Sequence, residues 1–458
     1  MEISRIGDFV LGLAPEDIPD DAWRAAKRSL LDLVGVWAAG RTTPLSRIVH
    51  DHAAELFGPG GRPAALTFDG RAVSPAGAAL AGGMTIDSID AHDGYRPSKG
   101  HAGCGLLPAL VASVQATGRP TAGPDFLAAL VVGYEIACRT AVAQHTSVPD
   151  YHATGSWSAV GCAAVAARCL DLDLERLRHA MGIAEYHGPR SQMMRVIDHP
   201  TMLKDSSGWG AMAGVSAAWL ARDGFTGAPA ITVEAEAAAD LWDTLGSTWL
   251  MTEQYIKPWP VCRWAQPSIE GVLRLVRSHG LSAADVRRVE IATFHEATRL
   301  QGRAPTDTET AQYAICFPVA AALVHGDVPV AQIVGEGLRD EAVLTMARRI
   351  DLVEDAECQS HFPARRTAKV SLELADGRRL ESGLVDPSGD PDNPMSDADL
   401  RAKFHRLAAP VLGADRAAAM EEAIGRFDSR ELALADLLGQ LPAAPASAAR
   451  AETPEPVP

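Results

Sequence analysis

Apolar residues recur at helical spacing through the first half of the chain. In the stretch from Asp20 to Gly40, one helical face carries the apolar side chains of Trp23, Ala26, Leu30, Leu33, Val34 and Trp37. An aspartate suited to a helix N-terminus opens this stretch, and a glycine closes it. Similar patterns, separated by short Gly/Pro breaks, occur at 44–57, 105–117, 125–144, 156–170 and 208–222. This part of the sequence therefore predicts a helical bundle.

The pattern changes after about Gln266. The segments VRRVEIATF and AKVSLELADGRRLESGLV alternate apolar and polar residues as strands do, and a hairpin turn is predicted at Asp376-Gly377. Between these segments, TAQYAICFPVAAALVHG and residues 343–350 predict helices, and the helical pattern returns at Asp397.

These patterns predict a mainly α protein. We expect a large helical domain that starts with residues 1–266, an α+β domain over 267–390, and completion of the helical domain by 391–441. Residues 442–458 are rich in Ala, Pro and Glu, and we expect them to be disordered.

The net charge argues against two classes of partner, and the cysteine content argues against disulfides. The 458 residues carry a formal net charge of -16, which would repel phosphate-rich surfaces, so we expect no nucleic-acid or membrane partner. The sequence begins with acidic residues where a signal peptide has basic ones, and no uninterrupted apolar run reaches about 18 residues. We expect a cytoplasmic location. Seven cysteines without a CxxC pair predict free thiols.

The densest polar cluster lies in the sequence DSIDAHDGYRPSKGHAGCGLLPAL, a Gly/Pro-broken loop before an apolar helix. Asp90 and Asp93 lie one helical turn apart and could hold His101 or a substrate hydroxyl. One alternative is a solvated, cap-forming loop. Another is a metal site that includes His92, but the spacing matches no compact metal signature, and we predict no bound metal.

Three further segments carry candidate residues. His152 precedes a helix of small residues, and Lys204 precedes a helix start whose backbone N–H groups could help to bind a carboxylate. Lys257, Cys262 and Arg263 lie at the predicted domain junction, where ligand sites are common. Cys262 beside Arg263 could be an activated nucleophile, but no base lies near it in the sequence, and buried structural thiols are commoner.

In this order along the chain, the segments resemble the MmgE/PrpD family, which includes 2-methylcitrate dehydratase, cis-aconitate decarboxylase and iminodisuccinate epimerase. AKRSLLDLVGVWAAG is similar to the family's opening helix, and SIDAHDGYRPSKGHAGCGLLPALVA is similar to its HALDFDDT signature and the HP dipeptide after it. The resemblance continues through DFLAALVVGYEIACR, DYHATGSWSAVGCAAVAA, MLKDSSGWGAMAGVSAAWLARDGFTGAP, KPWPVC, AQYAICFPVAAALVHGDV and DNPMSDADLRAKF.

The resemblance implies a large helical domain with a smaller α+β lid domain, a homodimer, no cofactor, and a site at the domain junction. The family's site positions fall on Asp90, Asp93, His101, His152, Lys204 and Lys257. The sequence departs from the family signature at Asp87, His92, Gly94 and Ala102, and Cys262 stands where the decarboxylase-like members have a histidine.

A proton-transfer mechanism follows as a hypothesis. Lys204 and Lys257 would bind substrate carboxylates and stabilise the charge that forms when a proton leaves the adjacent carbon. His101 or His152 would exchange that proton, Asp90 would assist, and Asp93, Cys262 and Arg263 would contact the substrate. We expect elimination of water from a small carboxylate, as in 2-methylcitrate dehydratase. Epimerisation, decarboxylation and a non-catalytic binding role are the alternatives.

Overall fold

The computed structural model describes residues 3–441, so the predicted tail at 442–458 lies outside the described residues. Helices form the part of the chain that precedes the four-stranded sheet: α1 (Ile3–Gly12), α2 (Asp20–Gly40), α3 (Pro44–Leu56), α4 (Pro75–Asp87), α5 (Gly103–Thr117), α6 (Gly123–Ser147), α7 (Gly155–Cys169), α8 (Leu174–His187), α9 (Met194–Asp198), α10 (Ser207–Arg222), α11 (Ile231–Glu234) and α12 (Ala239–Trp242). Most of their buried faces form one large hydrophobic core, whereas the buried Val196 and Ile197 of α9 belong to the core of the α+β part.

Small residues let the central helices of this bundle approach closely. Gly214 of α10 lies against Ala159 and Cys162 of α7, where a Cβ atom would collide with the α7 backbone. Gly208 at the start of α10 packs in the same way against α4. The start of α10 is therefore held between α4 and α7, and this contact fixes the segment that carries Lys204.

The bundle also contains two pairs of very short strands. They are β1 (Ala64–Ala65) with β2 (Ala72–Val73), and β3 (Gly94–Tyr95) with β4 (Gln254–Tyr255). The antiparallel pairing of Gly94 with Tyr255 brings the polar loop beside the chain that leads to Lys257.

The α+β part is built on a sheet in the order β6-β5-β7-β8. Its strands are β5 (Val286–Thr293), β6 (Ile350–Glu354), β7 (Ala368–Leu374) and β8 (Arg379–Val385). Strands β5 and β6 are parallel and the other neighbours are antiparallel. The helices of this part are α13 (Gln266–His279), α14 (His295–Thr298), α15 (Thr308–Gln312), α16 (Cys316–His325), α17 (Glu341–Ala347) and α18 (Ala356–His361). A second hydrophobic core lies here.

The chain then returns to the bundle through α19 (Asp397–Leu412), α20 (Ala414–Gly425) and α21 (Leu434–Gly439). Helix α19 packs on α2. At this contact the buried Lys403 ammonium lies 2.5 Å from Asp32 Oδ1 and donates to the carbonyl oxygen of Ala91 at 2.7 Å. The C-terminal helices thus reach the backbone of the polar loop.

The structure confirms the prediction of a mainly α fold with a smaller α+β part. Among the longer helices, the sequence analysis did not predict α1, α4, α8 or α13, and it expected strands only after residue 266, whereas β1 to β4 lie earlier. It also extended a helix to Ile350, which instead opens β6 because its side chain is buried in the sheet.

Helix α6 is long and apolar enough to cross a membrane, with a mean hydropathy of 1.6 over its most apolar window, and 94% of that window is buried in the bundle.

Candidate active site

The polar loop lies between α4 and α5, and its backbone turns sharply at Asp90, where φ is +50°. This turn directs the Asp90 carboxylate towards Lys257, whose Nζ lies 2.6 Å from Asp90 Oδ1. Both side chains are buried. Burial alone would raise the pKa of Asp90, but the charges of Lys257 and Lys204 outweigh it and hold that pKa below its usual value.

Lys204 lies in the loop before α10, also in the left-handed region, with φ of +49°. Its buried ammonium donates to Gln312 Oε1 and lies 4.6 Å from the centre of the Tyr313 ring. Gln312 in turn donates to the carbonyl oxygen of Ser88 at 2.7 Å. The α+β part and the bundle therefore meet at this lysine.

His101 lies at the centre of the cluster and is buried. Its Nδ1 is 2.5 Å from the carbonyl oxygen of Asp93, and its Nε2 is 3.6 Å from Asp205 Oδ2. Burial lowers the pKa of His101 well below its usual value, and the charge of Lys257 lowers it further. The imidazole is therefore neutral near pH 7.

Asp205 is a site residue that the sequence analysis did not identify. Its carboxylate accepts hydrogen bonds from Thr154 Oγ1 at 3.1 Å and from the Tyr313 hydroxyl at 3.3 Å. Burial raises the pKa of Asp205, and the nearby carboxylates of Asp87 and Asp90 raise it further. The pKa of Asp205 is thus raised and that of His101 is lowered.

His92 and Asp87 pack beside this centre. The His92 ring packs edge-on against His101 with 4.4 Å between centroids, and His92 Nε2 lies 3.3 Å from Asp87 Oδ1. Ser207 Oγ donates to Asp87 Oδ2 at 2.8 Å. The ligand atoms of Asp90, His92 and His101 lie within 4.8 Å of one another and could hold a metal ion, but Lys257 already neutralises Asp90.

A cavity of about 30 Å³ lies over this cluster, at the junction of the bundle and the α+β part. This volume has room for about two water molecules. The cavity is lined by the polar side chains of Asp90, Lys99, His101, Tyr151, Asp205, Tyr255, Cys262, Arg263, Tyr313 and Arg366.

Cys262 lines the cavity but does not have the properties of a nucleophile. Burial, with a smaller contribution from the Asp90 carboxylate, raises the pKa of its thiol to about 12. Arg263, next in the chain, lies over the Tyr255 ring at 4.6 Å and forms an ion pair with Asp390 rather than with the thiol.

Two predicted site residues lie elsewhere. The Asp93 carboxylate accepts a hydrogen bond from the Tyr134 hydroxyl inside the bundle, and burial raises its pKa to about 6. His152 Nδ1 lies 2.9 Å from the carbonyl oxygen of Asp150, and among the described residues around the cavity it is Tyr151, not His152, that lines it.

The structure thus brings together Asp90, His101, Lys204 and Lys257 from the predicted set, with Cys262 and Arg263 at the cavity wall. The sequence analysis missed Asp205, Tyr313 and Arg366. Asp205 directly follows Lys204, so its place in the sequence could have identified it as a candidate. Arg366 belongs to a short run of basic residues before β7, and nothing in that run distinguishes it from an ordinary loop before a strand.

Comparison with known proteins identifies the family of this chain. The family model described as the MmgE/PrpD N-terminal domain matches residues 4–243, and the MmgE/PrpD C-terminal domain matches residues 259–428. The cis-aconitate decarboxylase-like protein oryM of Aspergillus oryzae is 25% identical, covering 92% of this chain and 93% of the relative. Cis-aconitate decarboxylase of Mus musculus is 23% identical over 92% of this chain and 90% of its own, and that of Aspergillus terreus is 22% identical over 93% of each.

Proposed function

Because this chain belongs to the MmgE/PrpD family, we propose that it is a lyase that eliminates water from a small carboxylate substrate. The observation that carries the proposal is the buried pair of His101 and Asp205, 3.6 Å apart between Nε2 and Oδ2, beside two buried lysines. An elimination requires an unprotonated base and a protonated acid at the same pH, and a lowered pKa of His101 with a raised pKa of Asp205 favours that combination.

His101 is the base in this proposal. A carbonyl oxygen can only accept, so the 2.5 Å contact with the Asp93 carbonyl assigns the hydrogen to Nδ1 and leaves the Nε2 lone pair free. The lowered pKa keeps that lone pair available at neutral pH. Nε2 removes the proton from the carbon next to a substrate carboxylate.

Asp205 is the acid. Its raised pKa favours the protonated carboxyl group, which donates its proton to the leaving hydroxyl. As the double bond forms and the C–O bond breaks, the hydroxyl departs as water. Lys204 and Lys257 stabilise the negative charge that builds on the substrate carboxylate, and their burial strengthens this interaction.

Decarboxylation is the second candidate, favoured by the printed names of the relatives above. In that reaction the C–C bond to a carboxylate breaks, CO₂ leaves, and His101 or Asp205 protonates the carbon. The experiment is to incubate the protein with citrate, 2-methylcitrate, cis-aconitate and an amino-dicarboxylate and to identify the products by mass spectrometry. Loss of water supports the proposal, loss of CO₂ the second candidate, and unchanged compounds contradict both.

Two substitutions test the assigned roles. His101→Gln and Asp205→Asn should each lower kcat by roughly 10²–10⁴, while circular dichroism shows an unchanged fold. His295→Gln on the exposed surface of the α+β part is the matched control and should retain full activity. A His101→Gln variant with wild-type activity would refute the role of this histidine. If the protein is a binding protein without activity, neither the wild type nor any of the three variants will show turnover.

We also propose that the protein is a cytoplasmic homodimer that uses neither a metal nor an organic cofactor. Exposed apolar side chains on and beside α8 and α10, among them Tyr186, Leu203, Trp209 and Leu220, support an interface with a second copy. Light scattering should give about twice the chain mass of 48.4 kDa. Activity should survive exhaustive treatment with EDTA, and its loss would point to the Asp90, His92 and His101 cluster as a metal site.

A further inference from the structure

Thr154 is a buried residue that forms hydrogen bonds with both residues of the proposed acid–base pair. Its Oγ1 accepts from the backbone N–H of His101 at 3.2 Å and donates to Asp205 Oδ2 at 3.1 Å. These directions are fixed, because a backbone N–H can only donate and the single hydroxyl hydrogen is then left for the carboxylate. The backbone N–H of Gly155 also donates to the carbonyl oxygen of Asp205 at 3.0 Å. Thr154 and its neighbour thus hold Asp205 at two points.

The hydroxyl of Thr154 is not used to stabilise the helix that follows it. Thr154 is the N-cap residue of α7, a position where a threonine hydroxyl usually accepts from a free backbone N–H of the first turn. Here the Thr154 backbone is itself helical, with φ of −50° and ψ of −42°, and its side chain bonds to none of the described N–H groups of that turn. The hydroxyl is directed into the site instead, so capping of α7 does not account for it.

An acid and a base as close as Asp205 and His101 can block each other. His101 Nε2 and Asp205 Oδ2 are 3.6 Å apart, slightly beyond hydrogen-bond distance. If Oδ2 carried the acid proton, a small rotation would let it donate to Nε2 and occupy the lone pair that the base needs. The hydrogen bond from Thr154 makes Oδ2 an acceptor and favours the acid proton on Oδ1. There the Tyr313 hydroxyl, 3.3 Å away, can accept from it, since a hydroxyl both donates and accepts.

We propose that Thr154 is a positioning residue that keeps the acid and the base from blocking each other, by holding Asp205 Oδ2 as a hydrogen-bond acceptor beside His101. This inference rests on the proposed function and names a residue on which its acid–base pair depends. Thr154 acts through Asp205 rather than on the substrate, because it is not among the described residues that line the cavity.

Thr154→Val tests this role, because valine has nearly the shape of threonine and lacks the hydroxyl. The substitution changes no charge, so the ionisable groups that act most strongly on His101 and Asp205 are unaltered. They are Asp87, Asp90, His92, Lys204 and Lys257. Thr154→Ser keeps the hydroxyl, and Thr154→Ala is a second variant without it. The matched control is Thr140→Val in α6, since Thr140 is also buried and its hydroxyl has no hydrogen-bond partner among residues 3–441.

Two readouts are compared. With a substrate that the wild-type protein converts, Thr154→Val should lower kcat at least ~10-fold, the size expected for loss of a hydrogen bond to a carboxylate, and change KM less than about threefold. Thr154→Ser and Thr140→Val should keep kcat within about threefold of the wild type. The second readout is nitrogen NMR of protein with isotope-labelled histidine, in which His101→Gln assigns the His101 signals. In Thr154→Val the acid proton can reach Oδ2 and donate to Nε2, so the Nε2 signal should move towards that of a protonated nitrogen.

Three results would each overturn the inference: wild-type kcat in folded Thr154→Val, equal losses of kcat in Thr154→Val and Thr154→Ser, or an Nε2 signal that does not move when the hydroxyl is removed. Equal losses would show that the shape of residue 154 matters rather than its hydroxyl. Thr154→Ala replaces Thr154→Val in both readouts if Thr154→Val does not fold. If the wild-type protein converts no compound, the proposed function fails, but the NMR comparison still decides the role of Thr154.

Discussion

The buried contact between Lys403 and Asp32 gives the sharpest prediction about how the fold supports the site. Both side chains are 1% exposed, and Lys403 joins α19 to α2 and to the Ala91 carbonyl, one residue after Asp90. Lys403→Met leaves the Asp32 carboxylate buried without its counter-ion. Burial already raises the pKa of Asp32, and its Oδ2 has no hydrogen-bond partner among the described residues.

The size of the effect follows from burial. Removing one partner of a buried ion pair costs about 3–5 kcal/mol of unfolding free energy, because the remaining charge is uncompensated. Lys27 provides a matched control: it also extends from α2, and its Nζ lies 2.8 Å from Asp428 and 2.6 Å from the Gly425 carbonyl oxygen. That pair is partly exposed, so Lys27→Met should cost less than about 1 kcal/mol.

Urea unfolding followed by circular dichroism measures both variants, with the slope m checked for equality so that midpoints can be compared. The double variant Asp32→Leu with Lys403→Met removes both charges and should recover most of the loss. If Lys403→Met costs no more than Lys27→Met, or if the double variant is no more stable than Lys403→Met, then burial of this pair does not carry the stability assigned to it.

Two further predictions concern residues that the sequence placed in the site. Because the pKa of Asp93 is raised to about 6, the native state binds its proton more tightly than the unfolded state does. The stability contributed by that proton is complete below about pH 4 and is lost as the pH rises through 6. The total loss in unfolding free energy is about 3 kcal/mol. Asp93→Asn should remove this decline in urea titrations at pH 4 to 7, and a parallel decline in the variant would refute it. Cys262→Ala should keep kcat within about threefold, because a thiol with a pKa of about 12 is not a nucleophile at neutral pH; an inactive, folded variant would contradict this.

Much of the bundle could be predicted because the segments with apolar residues at helical spacing are the segments that form its helices. Helix α2 begins at Asp20 and ends at Gly40, as the pattern indicates. The short strands could not be predicted, since two-residue pairs such as Gly94 with Tyr255 leave no periodicity to detect.

The site was predictable in its residue types but not in its geometry. Asp90 and Asp93 lie one helical turn apart in the sequence, but the left-handed backbone at Asp90 directs their carboxylates apart, one towards Lys257 and the other towards Tyr134. Asp205 gains its proton affinity only from burial beside other carboxylates that are distant in sequence. Effects that depend on contacts between distant parts of the chain cannot be recognised from the local sequence pattern.

The central claim is that His101 Nε2 removes a proton from carbon, and deuterium exchange tests it most directly. Wild-type protein and His101→Gln are incubated in D₂O with citrate, 2-methylcitrate, cis-aconitate and an amino-dicarboxylate, and proton NMR follows the hydrogens next to the carboxylates. We expect deuterium at such a carbon with at least one compound for the wild-type protein, and exchange slowed at least ~100-fold in the variant. Exchange at equal rates in both proteins would contradict it.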